Sequence, residues 1–244
     1  MKDIIAVELL KLKNSKILWI VILAPAFMVL QGVINLMRYY DLFTGQGQNL
    51  WEQLYTQSMI FYVMILFPAL ISVVMTLVAR IENSHRGWKQ YLSLPVKKGT
   101  VYVIKSVIAF GLVFINILTL IIAMLIAGIL IGAQESLPYL SLIGRPLATY
   151  IAALPIMAIL YVLSIRYSQM TVPLGIGIGL ALPAMLVANT KYWLIYPWTY
   201  PIMAALGENM EIFNKGHLVF LASIILSAAV LMYGVRNFNK RDIV

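Results

Sequence analysis

Long apolar segments alternate with short polar connections along the whole chain. The six apolar segments cover residues 17–37, 59–79, 101–131, 147–165, 172–189 and 218–235. About 20 apolar residues in a helix are enough to cross a bilayer, so this pattern predicts six transmembrane helices. The third segment is long enough to tilt or to extend beyond the membrane.

The composition supports the same interpretation. Hydrophobic residues make up 62% of the 244 residues and charged residues only 11%, and the mean hydropathy is +0.90. A soluble domain of this length could not bury so much apolar surface. We therefore interpret residues 1–244 as a single all-α integral membrane domain. No A-x-A-like cleavage site follows the first apolar segment, so we expect that segment to be an uncleaved span.

The lysines and arginines are concentrated in alternate connections. If the N-terminus is inside, 14 of the 18 fall on the cytoplasmic side. Positively charged loops are retained in the cytoplasm, so we expect both termini there and the protein in the plasma membrane. We count Lys105, near the start of the third segment, among these cytoplasmic cations.

Several kinds of chemistry are absent from the sequence. We expect no ionisable side chain within the six spans, and such groups drive ion-coupled transporters and proton relays. The chain has no G-x-x-x-x-G-K-[ST] loop for nucleotide phosphates. It has no cysteine, and its two histidines, His85 and His217, are predicted on opposite sides of the membrane, where they cannot share a metal. We therefore expect no catalytic, cofactor or metal site in this chain.

The residues before the first span have weak amphipathic character. In "DIIAVELLKLKNSK", Ile5, Leu9 and Leu12 share one helical face, while Glu8 and Lys11 point elsewhere. This pattern predicts an interfacial helix on the inner leaflet. The alternative is a simple continuation of the first span into the cytosol.

A second unusual stretch, residues 189–216, precedes the last span. It is too apolar for a free loop, yet Pro197 and Pro201 argue against a continuous helix. We expect short re-entrant helices in the outer leaflet, in residues 191–216. Eight aromatic residues of the outer connections are predicted to lie at the headgroup level: Trp51, Tyr55, Tyr139, Tyr192, Trp193, Tyr196, Trp198 and Tyr200.

Small and polar residues within the spans predict helix packing. The "GIGIG" run at residues 175–179, and Gly128 with Gly132, have spacings that let helices approach closely. Four amide side chains are expected to form hydrogen bonds between helices: Gln31, Asn35, Asn116 and Asn189. Five prolines are expected to allow kinks: Pro25, Pro68, Pro155, Pro173 and Pro183.

The first cytoplasmic connection, residues 80–100, carries more apolar side chains than a solvated linker needs. In "ENSHRGWKQYLSLPVKK", Gly87 permits a bend and Pro95 ends a short helix. A short amphipathic helix presented to the cytosol is suited to docking against a partner.

This connection resembles the first cytoplasmic loop of ABC-2 type transporter permeases, in which an acidic residue, a short helix and a Leu-Ser-Leu-Pro-Val-like phrase form the coupling helix. The resemblance implies a type V exporter-like architecture of six spans, an N-terminal interfacial helix and re-entrant helices before the last span. It also implies that a groove of a separate ATP-binding subunit receives seven residues: Glu82, Trp88, Tyr91, Leu92, Leu94, Pro95 and Val96. ATP and magnesium would then bind that subunit.

The finer resemblance is to the branch that protects its own cell against lantibiotics or bacitracin-like peptides. It is carried by "RGWKQYLSLPV" and by "YPWTYP", which is similar to a Pro-Trp-Ser-Tyr-Pro-like phrase of that branch. The implied partners are two ATPase subunits, a second permease copy or homologue, membrane lipid and an amphipathic cargo, with no nucleic acid. Two alternatives remain: a sensor or scaffold that binds peptide at its outer loop, and an intramembrane protease.

Overall fold

The structure is a computed structural model that describes residues 2–13, 15–45, 47–83, 98–167, 169–207 and 216–240. Over these residues it is all-helical. Its α-helices are α1 (Lys2–Lys13), α2 (Ile17–Arg38), α3 (Tyr40–Thr44), α4 (Leu50–Phe61), α5 (Phe67–Asn83), α6 (Lys98–Leu130), α7 (Arg145–Ala152), α8 (Leu154–Arg166), α9 (Thr171–Ala181), α10 (Ala184–Ala188), α11 (Tyr200–Leu206) and α12 (Leu218–Asn239).

Four helical stretches of the described chain are long and apolar enough to cross a bilayer. They are Ile17–Arg38, Leu50–Arg80, Lys98–Leu130 and Leu218–Asn239. A fifth is formed if Leu140–Ala152 and Leu154–Arg166, which meet at a bend of 42°, count as one broken span. Several apolar helices of this length confirm a multi-pass membrane protein.

The segment predicted as the fifth span is not one long helix. It consists of α9, which has 11 residues, and the five-residue α10 beyond Pro183. At 1.5 Å per residue, α9 is about 16 Å long, roughly half of the bilayer's hydrocarbon thickness. The described residues therefore give four to five membrane-capable helices, and the predicted count of six is not confirmed.

The second span is longer than the sequence predicted. It begins at Leu50, where the Asn49 side chain accepts a hydrogen bond from the Trp51 amide at 2.9 Å. It then runs through a π-helical turn, Tyr62–Leu66, into α5. Pro68 is the second residue after this turn, and Pro146 has the same relation to the π-helical turn Leu140–Gly144. Since proline lacks an amide hydrogen and crowds the preceding turn, each wider turn relieves the helix just before the proline.

The helices bring the polar connections together at two ends of the bundle. At one end, the guanidinium of Arg80 lies 3.2 Å from the Met170 sulfur, and the rings of Tyr102 and Phe238 are 5.4 Å apart. We call this the basic end. Its described cations are Lys11, Lys16, Arg80, Lys98, Lys105, Arg166, Arg236 and Lys240.

The opposite end is held by contacts between the other set of connections. The Asn49 side-chain amide donates to the Ser136 carbonyl at 3.1 Å, and the Tyr55 hydroxyl donates to the Ala205 carbonyl at 2.8 Å. We call this the aromatic end. Its aromatic side chains include Trp51, Tyr55, Trp193, Tyr196, Trp198 and Tyr200.

A buried polar contact joins three helices in the middle of the bundle. The Asn116 amide donates to the Val21 carbonyl at 2.7 Å, and the Tyr62 hydroxyl donates to the Asn116 oxygen at 2.5 Å. Val21 lies four residues before Pro25, which has no amide hydrogen for that carbonyl. Asn116 of α6 therefore replaces the hydrogen bond that Pro25 removes from α2, and its predicted role as a bond between helices is confirmed.

Within the "GIGIG" run, the predicted glycine packing holds on one face of α9 only. A Cβ added at Gly177 would lie 1.8 Å from the Ser72 hydroxyl oxygen of α5, whereas Gly175 and Gly179 meet nothing within 4 Å. Gly177 is therefore the residue that allows α9 and α5 to approach so closely. The outer two glycines of the "GIGIG" run leave space instead of filling a helix contact.

Two of the aromatic residues predicted for the headgroup region lie inside the protein. Trp51 is 5% exposed, and its ring packs so tightly on α6 that a Cβ at Gly128 would lie 2.0 Å from it. Tyr55 is fully buried. The prediction of headgroup positions was wrong for these two, because the second span begins earlier than the apolar run and carries them into the bundle.

Candidate functional site

The basic end contains a buried ionic cluster. The ammonium of Lys105 donates to one carboxylate oxygen of Glu8 at 2.5 Å, and that of Lys11 donates to the other at 3.1 Å. Lys105 is fully buried and Glu8 is 3% exposed, while the Lys11 side chain is 29% exposed. One carboxylate thus holds two cations, one of them within the protein interior.

The cluster fixes the orientation of the N-terminal helix. The inward face of α1 presents Glu8 and Leu12, whereas Leu9 is 54% exposed and Ile5 is 38% exposed. The sequence predicted that Ile5, Leu9 and Leu12 share the apolar face of a helix on the inner leaflet; in the structure Leu12 packs on the bundle, whereas Ile5 and Leu9 stay exposed. Glu8 pairs with Lys105 on the bundle, so the opposite face of α1 carries exposed apolar side chains, which is the arrangement that an interfacial helix needs.

The position of Lys105 also corrects the expectation that the spans contain no ionisable group. It lies in the second turn of α6, within a stretch apolar enough to cross the membrane. A charge can be kept there because a carboxylate pairs with it, and such buried groups in membrane proteins are usually functional. The signal in the sequence was a single lysine just inside an apolar run, with a glutamate on the preceding amphipathic helix.

Two tyrosines support α6 beside this cluster. The Tyr161 hydroxyl of α8 donates to the Tyr102 carbonyl at 2.8 Å, and the two rings meet edge to face at 4.9 Å. Both side chains are at most 1% exposed. The turn of α6 that carries Lys105 is therefore held from one side by α1 and from the other by α8.

The candidate outer residues form a compact segment at the aromatic end. Two short 3₁₀ turns, Trp193–Ile195 and Pro197–Thr199, lead into α11. Pro197 begins the second turn, and Pro201 lies in the first turn of α11, where a missing amide hydrogen costs nothing. The sequence predicted short helices here, and the described residues contain them.

Aromatic side chains attach this segment to backbone carbonyls. The Trp198 indole donates to the Gly177 carbonyl at 3.0 Å, and the Tyr196 hydroxyl donates to the Leu180 carbonyl at 2.7 Å, so both residues bind α9. The Tyr200 hydroxyl donates to the Leu194 carbonyl at 2.5 Å within the segment. Burial raises the pKa of both Tyr196 and Tyr200 above the ordinary tyrosine value, so these hydroxyls stay protonated as donors further into the alkaline range.

The exposed surface of the segment is formed by other side chains. Trp198 and Tyr200 are 3% and 1% exposed, so they pack the protein and do not face the headgroups as predicted. Tyr192, Leu194 and Ile195 are more than half exposed. In this segment, these three are the apolar and aromatic side chains that an approaching molecule would meet.

The candidate coupling residues fall mostly outside the described residues. Glu82 lies in the last turn of α5. The other six, Trp88, Tyr91, Leu92, Leu94, Pro95 and Val96, lie outside the described residues. The helices that flank them, α5 and α6, end and begin at the basic end.

A metal site receives no support from the described side chains. Within the described ranges, no three of the His, Cys, Asp and Glu side chains are close enough to hold a metal ion together. His217 precedes the first residue of α12, and His85 lies outside the described residues.

Taken together, the fold and its two ends define a polytopic α-helical membrane protein with an N-terminal helix anchored on the bundle. The chain matches the family model for the ABC-2 family transporter protein over residues 4–184, so it belongs to that family. It is thus the membrane-spanning permease component of an ABC transporter, and the family implies an ABC ATPase subunit as its partner. Neither the comparison with curated proteins nor the comparison with solved structures gave a match.

Proposed function

We propose that this permease exports an amphipathic cargo, or extracts it from the outer leaflet, with ATP hydrolysed by two copies of a separate subunit. A second permease copy or a homologous permease completes the assembly. The family match over residues 4–184 is the observation that carries this proposal. The absence of a phosphate-binding loop from the sequence agrees with a partner as the source of ATP hydrolysis.

The coupling element in this proposal is the connection that contains Trp88 and Leu92. The second span runs unbroken in helical structure from Leu50 to Arg80, so it joins the aromatic end directly to this connection. A push on residues 84–97 by the ATPase is thereby delivered to the helix that carries Trp51 and Tyr55. Buried aromatic and aliphatic anchors usually dominate such docking contacts.

The double variant Trp88→Ala with Leu92→Ala tests the coupling element. We expect loss of ATPase co-purification, or ATP turnover that no longer depends on cargo in reconstituted membranes. The matched control is Trp19→Ala with Leu23→Ala, which removes the same residue types at the same spacing from an exposed face of α2. Normal co-purification and normal cargo-dependent turnover in the Trp88/Leu92 variant would refute this role.

The orientation is the second part of the proposal. The basic end faces the cytoplasm, with both termini, and the aromatic end faces outward, because 14 of the 18 lysines and arginines then lie inside. Single cysteines can report this, since the chain has none of its own. In intact cells, an impermeant thiol reagent should label cysteine at positions 139 and 208 and spare it at position 89. Labelling of the cysteine at position 89 in intact cells would show that the proposed orientation is wrong.

The cargo surface is the third part, and the candidate is the exposed face of Tyr192, Leu194 and Ile195. An antimicrobial peptide of the lantibiotic or bacitracin kind has the amphipathic character that this apolar and aromatic surface would accept. Tyr192→Ser with Ile195→Ser should abolish protection against such a peptide and leave the ATPase bound. Tyr139→Ser is the control, because Tyr139 is 69% exposed in a different connection of the same end. Full protection in the double variant would place the cargo contact elsewhere.

A further inference from the structure

An apolar groove runs between α6 and α12 from the basic end toward the middle of the bundle. It has a volume of about 440 Å³, within the size range of ligand pockets. Its hydrocarbon lining comes mainly from Val103, Val107, Phe110 and Phe114 of α6 and from Leu231 and Val235 of α12. Val103 and Val107 are 46% and 64% exposed, so the groove opens sideways to whatever surrounds the bundle.

The length and position of the groove match one leaflet of a bilayer. The lining of α6 extends from Tyr102 to Phe114, which is 12 residues or about 18 Å along the helix. Half of the hydrocarbon core is about 15 Å thick. The Tyr150 ring, which meets Phe114 edge to face at 5.2 Å, lies at the inner end of the groove. The groove therefore reaches from one surface to about the midplane.

Two polar side chains that line the groove are already hydrogen-bonded within the protein. The Ser106 hydroxyl donates to the Val103 carbonyl at 2.8 Å, and the Tyr150 hydroxyl donates to the Phe110 carbonyl at 3.2 Å. Neither needs a polar group of a ligand. The chemistry of this part of the groove therefore favours a hydrocarbon chain.

A positive charge adjoins the groove on α12. Arg236 directly follows the lining residue Val235 and is exposed. Among the described side chains, Glu8 is the acid of this end, and Lys105 and Lys11 hold its two oxygens. A phosphate near this end of the groove could thus pair with Arg236 without a competing described carboxylate.

We propose that the groove between α6 and α12 binds an anionic phospholipid, with an acyl chain along Val107 and Phe110 and the phosphate at Arg236. The lipid is a resident component that fills the space between these two helices and is not the cargo. This inference rests on the groove itself and is independent of the proposed transport function.

A substitution at Gly111 can fill the groove. It lines the groove, and a Cβ added to it meets nothing within 4 Å, so a larger side chain projects into the open space. Gly111→Leu should therefore fill the groove without a clash inside the protein. Gly175→Leu is the matched control, because Gly175 also meets nothing within 4 Å but does not line the groove.

The test uses the full chain in vesicles of phosphatidylglycerol and phosphatidylcholine that carry a photoactivatable phosphatidylglycerol. We expect crosslinks to map to α6 and α12, and Gly111→Leu to reduce them about tenfold, the change that 1.4 kcal/mol of binding produces. Gly175→Leu should leave them unchanged. Arg236→Gln should reduce the preference for phosphatidylglycerol over phosphatidylcholine by about two- to fivefold, as expected for an exposed ion pair.

Three results would overturn the proposal. Undiminished groove crosslinks in Gly111→Leu would show that the lipid does not enter the groove. An unchanged lipid preference in Arg236→Gln would contradict the assignment of an anionic headgroup to the bound lipid. Crosslinks between two chains through α6 and α12, in place of lipid crosslinks, would assign the groove to a second copy of the protein.

Discussion

The two ends of the bundle are held together by different chemistry. At the basic end, α1 is attached through the charged groups of Glu8, Lys105 and Lys11. At the aromatic end, the segment before α12 is attached through neutral donors, the Trp198 indole and the Tyr196 hydroxyl, which bind backbone carbonyls. Each end thus fixes a short element on the bundle, one by ions and the other by neutral hydrogen bonds.

This difference determines how each end responds to a single change. Buried ions are costly to desolvate, and the cost is offset only while all partners are present. Neutral hydrogen bonds cost less to bury and contribute only about 0.5–1.5 kcal/mol each. The basic end should therefore fail abruptly when one partner is removed, whereas the aromatic end should lose stability in small steps.

The largest effect is expected at Lys105. Lys105→Met should lower the free energy of unfolding by about 3 kcal/mol, near the lower limit for breaking a buried pair, because Lys11 still faces Glu8. Adding Glu8→Leu should restore most of the loss, since no buried charge then remains unpaired. The measurement is unfolding by denaturing detergent in mixed micelles.

The control for this cycle is Lys16→Met, because Lys16 is exposed at the same end. It should change the free energy of unfolding by less than about 0.5 kcal/mol, as surface substitutions usually do. If Lys105→Met behaves like this control, the two ends do not differ in the way described above.

An intermediate effect is expected at the glycine beneath the aromatic segment. Gly177→Ala should destabilise the protein by about 1–3 kcal/mol, because its Cβ would lie 1.8 Å from the Ser72 hydroxyl oxygen. Gly179→Ala, two residues away with nothing within 4 Å, should be neutral or stabilise by up to about 1 kcal/mol. The same unfolding assay compares them. Equal effects of the two variants would mean that the close approach of α5 and α9 is not limiting.

The smallest effect is expected at Tyr196. Tyr196→Phe removes the hydrogen bond to the Leu180 carbonyl and should cost about 0.5–1.5 kcal/mol. Tyr192→Phe serves as the control, because the Tyr192 side chain is 58% exposed and should tolerate the change. A loss at Tyr196 as large as that expected at Lys105 would remove the contrast between the two ends.

Hydrophobicity alone was enough to predict much of the fold. The apolar runs at residues 17–37, 101–131 and 218–235 each coincide with one long helix, the second run extending one residue beyond its helix, because a spanning helix must satisfy its backbone polar groups with its own hydrogen bonds. The short helices before α12 could also be predicted, since Pro197 and Pro201 interrupt an apolar run. These features depend on local sequence, which is why they could be read from it.

The predictions that were wrong concern features that depend on contacts between distant residues. Whether Glu8 faces water or Lys105 is decided by a neighbour 97 positions away, and hydropathy contains no such information. The same is true of Trp51, which is buried because Gly128 leaves room for its ring. The short α9 reflects Pro183, whose effect on a span depends on whether neighbouring helices cover the broken end.

The long second span has a mechanical consequence. Its 31 residues extend about 46 Å, more than the hydrocarbon thickness, and the Tyr62 hydroxyl bonds Asn116 near the middle. Such a helix can act as a rigid lever that pivots at the contact between Tyr62 and Asn116. If it tilts about Tyr62 as a rigid rod, a displacement at Arg80 appears at Trp51 in the opposite direction, and the ratio of the two arms sets its size. Movement at one membrane surface would then be transmitted to the other surface by the tilting of this one helix.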